Sequence, residues 1–282
     1  MASKRTYTIG AIIPTMENSI FAAGIQAFQE TLSAAGKTLL LASSAYDPAT
    51  EEAQIRTLVA RGAEGLLLIG HARSDAVYAF LEARNMPTLV AWVHDTSAPR
   101  LSVGFDNHAA MKNLAAKAIG MGHERIGMIS ALQAGNDRVA ARIAGVRAAM
   151  DAVGLEPDDL ALVETTYSMA TGATALDDLM SRGSPPTLII CANDVLAVGA
   201  LRQAQRRGLR VPEDVSITGF DDTELALITD PPLTSVRVPH AQMGANAAEV
   251  LIRMIDGEPP QDSLALTTDL QVRGSLAPPG QP

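Results

Sequence analysis

TLIICANDVLAVGALRQAQRRGLRVPEDVSITGF, residues 187–220, holds one complete strand–helix–strand unit. Its opening TLIIC is a short continuous apolar run, the pattern of a strand buried on both faces. Asn193 and Asp194 follow, polar residues of the helix-starting type, and a helix is predicted over 194–207. Val215 to Phe220 then reads as a second buried strand. A right-handed crossover puts such a helix on the face of a parallel sheet.

The same alternation extends outward in both directions. Towards the N-terminus of this unit lie a strand at 125–130, a helix at 139–153, a strand at 160–164 and a helix at 171–182. An earlier series runs through strands at 7–13, 38–42, 65–69 and 88–93, with helices at 19–35, 48–61 and 75–84 between and after them. Phe21, Ile25, Phe28 and Leu32 show the helical spacing. Two series of about 110 residues imply two similar α/β lobes, in keeping with roughly 150 residues per domain for a 282-residue chain. After Pro231 and Pro232 come a strand at 233–238, a helix at 241–255 and a strand at 266–272, too little for a third domain. They are expected to complete the two lobes, so that the chain crosses between them more than once. Ligands are expected in a cleft where the carboxyl ends of the strands face it.

Composition narrows the function. With 22 Lys and Arg against 31 Asp and Glu the formal charge is −9, and no basic run is present to neutralise phosphates, so these residues are not expected to grip nucleic acid. Hydrophobic residues make up 47% of the chain, which excludes a disordered protein. The single cysteine, Cys191, excludes an internal disulfide framework and fits a reducing compartment. Lys4 and Arg5 precede a short apolar run, but Pro14 and Glu17 follow without a small-residue cleavage pattern, and no stretch approaches the ~20 apolar residues of a membrane span. A soluble, cytoplasmic protein is expected.

Several chemistries lack their residues. His71, His94, His108, His123 and His240 are scattered and there is no cysteine cluster, so no metal site is expected. Neither a nucleophile elbow nor a Walker phosphate loop occurs. Gly120-Met121-Gly122 resembles the start of a dinucleotide fingerprint but closes a helix, where glycine serves as a cap. No catalytic residue and no cofactor is predicted.

Polar residues at strand ends remain. Asn193 and Asp194 follow TLIIC, and Asp221 and Asp222 follow SITGF. Such positions face the crevice of a parallel sheet, although Asp194 as a helix cap and Asp222 as a ligand of nearby amides are equally ordinary uses. Arg138 and Arg142 share a helix face by their i, i+4 spacing. They either offer a donor fork to ligand hydroxyls or a carboxylate, or form surface salt bridges. Phe21 and Tyr167, among few aromatics, either stack on a sugar or base face or pack as core. The stretch 225–228 is a candidate dimer contact or simple core.

VPEDVSITGFDD (211–222), PPLTSVRVP (231–239), CANDVLAVGAL (191–201), FDN (105–107) and GHERIGMI (122–129) resemble, in order and spacing, segments of the LacI/GalR transcription regulators. The resemblance covers residues 7 to about 276. It implies the periplasmic-binding-protein type I fold, two Rossmann-like lobes joined by three crossovers, with residues 6–121 plus about 239–262 in the N-terminal lobe and 122–238 plus about 263–276 in the C-terminal lobe. It also implies a homodimer whose sugar-like or nucleobase effector binds in the interlobe cleft and changes how the dimer presents DNA-binding headpieces. The headpiece itself is expected to lie outside these residues, so operator DNA is a partner only through it. By the resemblance, Asn193 and Asp221 bond ligand hydroxyls, Arg142 contacts ligand, Arg138 lies at a more variable ligand position and Tyr167 is a stacking platform. Asn18 and Phe21 belong to the loop Asn18-Ser19-Ile20-Phe21, which resembles the family's ligand-contacting N-P-F-F segment. A ligand bonded to both lobes would favour the closed cleft by its differential affinity. The rival class sharing the fold is the periplasmic sugar receptor of an ABC transporter, against which stand PPLTS and the lack of a signal pattern.

Overall fold

A computed structural model of the chain describes residues 5–17, 19–258 and 262–280. In chain order the elements are β1 (Thr8–Ile13), α1 (Ser19–Ala34), β2 (Thr38–Ser43), α2 (Pro48–Ala60), β3 (Gly65–Ile69), α3 (Asp75–Glu82), β4 (Thr88–Ala91) and β5 (Ser102–Gly104). There follow α4 (Asn107–Ile119), β6 (Ile126–Ala131), α5 (Asp137–Asp151), β7 (Ala161–Thr165), α6 (Met169–Met180), β8 (Leu188–Cys191), α7 (Asp194–Arg206), β9 (Ser216–Asp221), α8 (Glu224–Ile228) and β10 (Thr234–Arg237). The chain closes with α9 (His240–Ile255), β11 (Leu264–Ala265) and β12 (Asp269–Gln271). Contacts divide the described residues into two units, one from Met1–Asp106, Gly135–Asp137 and Pro239–Thr267, the other from Asn107–Ala134, Arg138–Val238 and Thr268–Pro282.

The first unit is built on a parallel sheet of order β11-β5-β4-β3-β1-β2. Its central strand β3, GLLLI, is buried at every residue, as a continuous apolar run requires when helices cover both faces. On one face Ile12, Leu66 and Leu68 pack with Ile55 and Leu58 of α2 and Val77 and Leu81 of α3. Each such fully buried side chain contributes about 1.5–3 kcal/mol. α1 and α9 pack together so closely that a Cβ on Gly244 would overlap the Gly24 carbonyl, which leaves glycine as the residue that fits.

The second unit repeats the plan with the order β12-β10-β9-β8-β6-β7, parallel except for β12, which runs antiparallel to β10. In both sheets the strand order reverses beside the first strand of the unit, giving a switch point between β1 and β3 and another between β6 and β8. Ligands of open parallel sheets bind outside the carboxyl ends of the strands at such points.

The structure differs from the sequence expectation in four places. The strand predicted at 88–93 stops at Ala91, because Trp92 takes a positive φ of 62° that ends the extended run. Of the single strand predicted at 266–272 only β12 at 269–271 forms, in the second sheet, while β11, just ahead of the predicted range, runs parallel to β5 in the first. β5 itself has only three residues, too few for a periodicity to show. α4 lies with the second unit, not the first, since its backbone at His108 approaches α5 so closely that a Cβ on Gly145 would overlap the carbonyl. The division therefore falls at 106/107 instead of 121/122, and residues up to Thr267 stay with the first unit. Besides the short excursion Gly135–Asp137, the chain passes between units after Asp106, Val238 and Thr267.

Candidate functional site

At the switch point of the second sheet, three polar side chains named from the sequence come to one end. β8 leads through Ala192 into Asn193, and β9 ends on Asp221. The β8–β9 register ends with Ile190 paired to Thr218, and Asn193 and Asp221 each come three residues later, at the carboxyl ends of these neighbouring strands. Arg142 reaches the same place from α5: its Nη1 donates to the Ala192 carbonyl at 2.7 Å and its Nε to Asn107 Oδ1 at 2.9 Å. The guanidinium lies 3.8 Å from the centroid of the Phe220 ring, so a hydrogen-bonded fork and a cation–π contact fix its plane together. Arg142 is buried, and the surface salt bridge left open from the sequence is not its role.

Asn193 is the N-cap of α7. Its Oδ1 accepts from the Leu196 amide at 2.9 Å, which orients the other end of the side chain outward from the helix. That end, Nδ2, is buried and has no hydrogen-bond partner among the described residues. A buried donor left unsatisfied costs about 1–3 kcal/mol, so such an atom is a natural place for a ligand oxygen.

Because Asn193 caps the helix, Asp194 is free of that duty and turns elsewhere. Its Oδ2 accepts from the backbone N of Thr223 at 2.6 Å and from Thr223 Oγ1 at 2.9 Å, and its Oδ1 accepts from Ser235 Oγ at 2.6 Å. Burial, reinforced by the negative charge of neighbouring Asp221, raises its pKa to about 7 against the pull of these hydrogen bonds. Asp221 is itself buried, with φ of 100°, and Asp222 beside it has φ of 51°. Asp222 does not bind nearby amides as one sequence reading had it; it accepts from Arg237 Nε at 2.8 Å and pairs with Arg273 Nη2 at 2.6 Å. Arg138 is half-buried one turn before Arg142 on α5, and Tyr167 is half-buried in the link from β7 to α6. Within 225–228 Ala226 is buried, whereas Leu227 and Ile228 are 61% and 77% exposed.

Phe21 belongs to the first unit. It is buried at the start of α1 with its ring 5.5 Å from that of Trp92, and Trp92 Nε1 lies 3.2 Å from His240 Nδ1 at the start of α9. At the end of β3 the His71 backbone N donates to Asp137 Oδ2 at 2.5 Å, and burial lowers the pKa of the His71 ring against the opposing charge of Asp137. Asn18 lies outside the described residues. Trp92, His240, Asn107 and the tethering role of Asp194 escaped the sequence reading. A lone tryptophan directly after a buried strand was a usable signal for the first, whereas Asn107 is tied to Arg142 only by packing. No helix among the described residues is long and apolar enough to cross a membrane.

Known proteins match this arrangement. The periplasmic binding protein-like domain family matches residues 115–276. The HTH-type transcriptional regulator MalR of Streptomyces coelicolor is 34% identical over 95% of this chain and 80% of its own length. Among solved structures, the transcription regulator GntR from Chromobacterium violaceum superposes with a TM-score of 0.88 at 31% identity, covering 95% of this chain and 99% of that one. A transcriptional regulator CelR–cellobiose complex does so with a TM-score of 0.84 at 28% identity, covering 98% and 86%.

Proposed function

Because this chain belongs to the LacI/GalR family of transcriptional regulators, with the periplasmic-binding-protein-like fold of their effector-sensing part, we propose that Arg142, Asn193 and Asp221 hold a small polyhydroxylated effector. The observation that carries this is the buried Asn193 Nδ2 without a partner among the described residues, just past the end of β8, with the buried Asp221 carboxylate at the end of the neighbouring strand β9. An amide N–H donates and a carboxylate accepts, and a sugar hydroxyl is the group that can take from one and give to the other at once. Arg142, its plane already set, adds a charge-assisted donor suited to a sugar or sugar acid. The cellobiose complex of CelR supports a sugar as the ligand class. Arg138 and Tyr167 in the second unit, and Asn18 and Phe21 in the first, are further proposed ligand contacts.

No catalytic role is proposed for these groups, and the sugar-receptor alternative is not favoured, since the relatives are regulators of transcription. Such a regulator works where the DNA is, in the cytoplasm. We further infer a homodimer, for which the exposed Leu227 and Ile228 are the candidate contact.

The test begins with a thermal-shift screen of cellobiose, maltose, ribose, gluconate and nucleosides, in which a ligand at 100 times its Kd adds about 2.7 kcal/mol of stability. With the best binder, Asp221→Ala should abolish calorimetric binding while the unliganded melting temperature changes little. Wild-type affinity in that variant would sink the assignment.

A further inference from the structure

Two successive non-glycine residues of positive φ, Asp221 and Asp222, form the turn that presents the Asp221 carboxylate. Such conformations persist only where their surroundings over-determine them, and here the surroundings can be named. The Asp194 carboxylate holds Thr223 twice, through its backbone N and its hydroxyl, and takes the Ser235 hydroxyl on its other oxygen. Ser235 Oγ in turn accepts from the Asp222 backbone N at 3.0 Å. Both residues following Asp221 are thus tied back to one carboxylate, directly or through a single hydroxyl. Arg237 and Arg273 hold the Asp222 side chain separately.

Three further features show that the fold accommodates this tether. A carboxylate in the first turn of a helix ordinarily favours that helix's own N-terminal amides, but Asn193 already serves there and Asp194 turns across to Thr223, after β9, and to Ser235 of β10 instead. Gly219 is the residue that makes room, since a Cβ there would overlap Asp194 Oδ1. The tether is also 1% exposed, so water does not compete for its bonds.

We propose that Asp194 is a positioning residue: through Thr223 and Ser235 it fixes the Asp221–Asp222 turn and so aims the Asp221 carboxylate at the effector. This rests on the reading that Asp221 contacts effector, and the experiment keeps the two apart. Amide hydrogen exchange is measured on the unliganded protein over residues 221–224, with β6 as an internal control. Asp194→Ala should speed exchange at 221–224 at least about tenfold and leave β6 at the wild-type rate, whereas Asp194→Asn, which keeps an acceptor for Thr223, should stay within about threefold. Unchanged exchange at 221–224 in Asp194→Ala overturns the proposal. So does acceleration that spreads equally to β6, or an asparagine variant as fast as the alanine one. If Asp194→Ala does not fold, Ser235→Ala, which removes the donor to Oδ1 together with the acceptor of the Asp222 backbone N, is judged by the same two segments. Asp221→Ala supplies the separation: its calorimetric binding of cellobiose or the screened sugar judges the contact, and the exchange data judge the tether without any ligand.

Discussion

Replacing Asp194 with asparagine should make the protein progressively more stable than wild type as pH rises from 5 to 8. Burial first, and then the charge of Asp221, lifts the Asp194 carboxyl from its ordinary 3.8 to about 7. A folded-state value above the unfolded one means that the native protein holds the proton more tightly. The stability so gained is full below the unfolded value and is lost as pH climbs, until the loss is complete just above the folded value. At ~1.4 kcal/mol per pH unit the rise from 3.8 to about 7 corresponds to ~4 kcal/mol in all, of which ~2.6 kcal/mol is lost between pH 5 and pH 8. Asparagine has no proton to lose, keeps an oxygen for Thr223 and turns its amide to Ser235, so the variant lacks this loss. Urea titrations of both proteins at pH 5, 6, 7 and 8, followed by far-ultraviolet circular dichroism, measure the difference. Tryptophan fluorescence, which reports only the first unit because Trp92 is the sole tryptophan, identifies which transition moves. A stability difference between variant and wild type that is the same at pH 5 and pH 8 would refute the account of Asp194 as a buried carboxyl crowded by Asp221.

Two further outcomes test other parts of the structure. Gly244→Ala should destabilise the first unit by about 1–3 kcal/mol or more, because the added methyl must push α9 away from the Gly24 carbonyl; a shift in the fluorescence-detected urea midpoint reads this. Leu227→Asp combined with Ile228→Asp should turn a dimer into a monomer in light scattering without lowering the melting temperature, since both side chains are exposed within their own unit, and an unchanged mass would move the dimer contact elsewhere.

The sheets were legible because most of their strands are apolar runs and their helices keep a 3.6-residue period; GLLLI and TLIIC read as buried strands because each run has only five residues, too short for a buried helix. What stayed hidden depends on distance along the chain. β5 and β11 have three and two residues; β11 becomes a strand only by lying beside β5, about 160 positions away, and β5 by lying between β11 and β4. The site divides in the same way. Asn193 and Asp221 stand at strand ends, and strand ends can be located from a pattern. Whether Asp194 or Asn193 caps α7 could not be, since both are good cap residues, and the choice is settled by Ser235 and Thr223 offering Asp194 three donors. Arg142 showed its helix face by spacing, but its burial against Phe220 and Asn107 is a tertiary fact.

The distribution of each unit over separate chain segments bears on how the protein is made. The first sheet cannot gain its outer strand until residue 265 has left the ribosome, and α9, which covers α1, is complete only at residue 255. The second sheet waits for β12 and for Ser275, whose hydroxyl donates to the Ile217 carbonyl and accepts from the Thr234 backbone N. Multidomain chains usually finish their N-terminal domain early in synthesis. Here neither unit can complete its sheet until β11, ending at Ala265, or β12, ending at Gln271, has emerged, so both half-built sheets must be kept from sticking to other chains in the meantime.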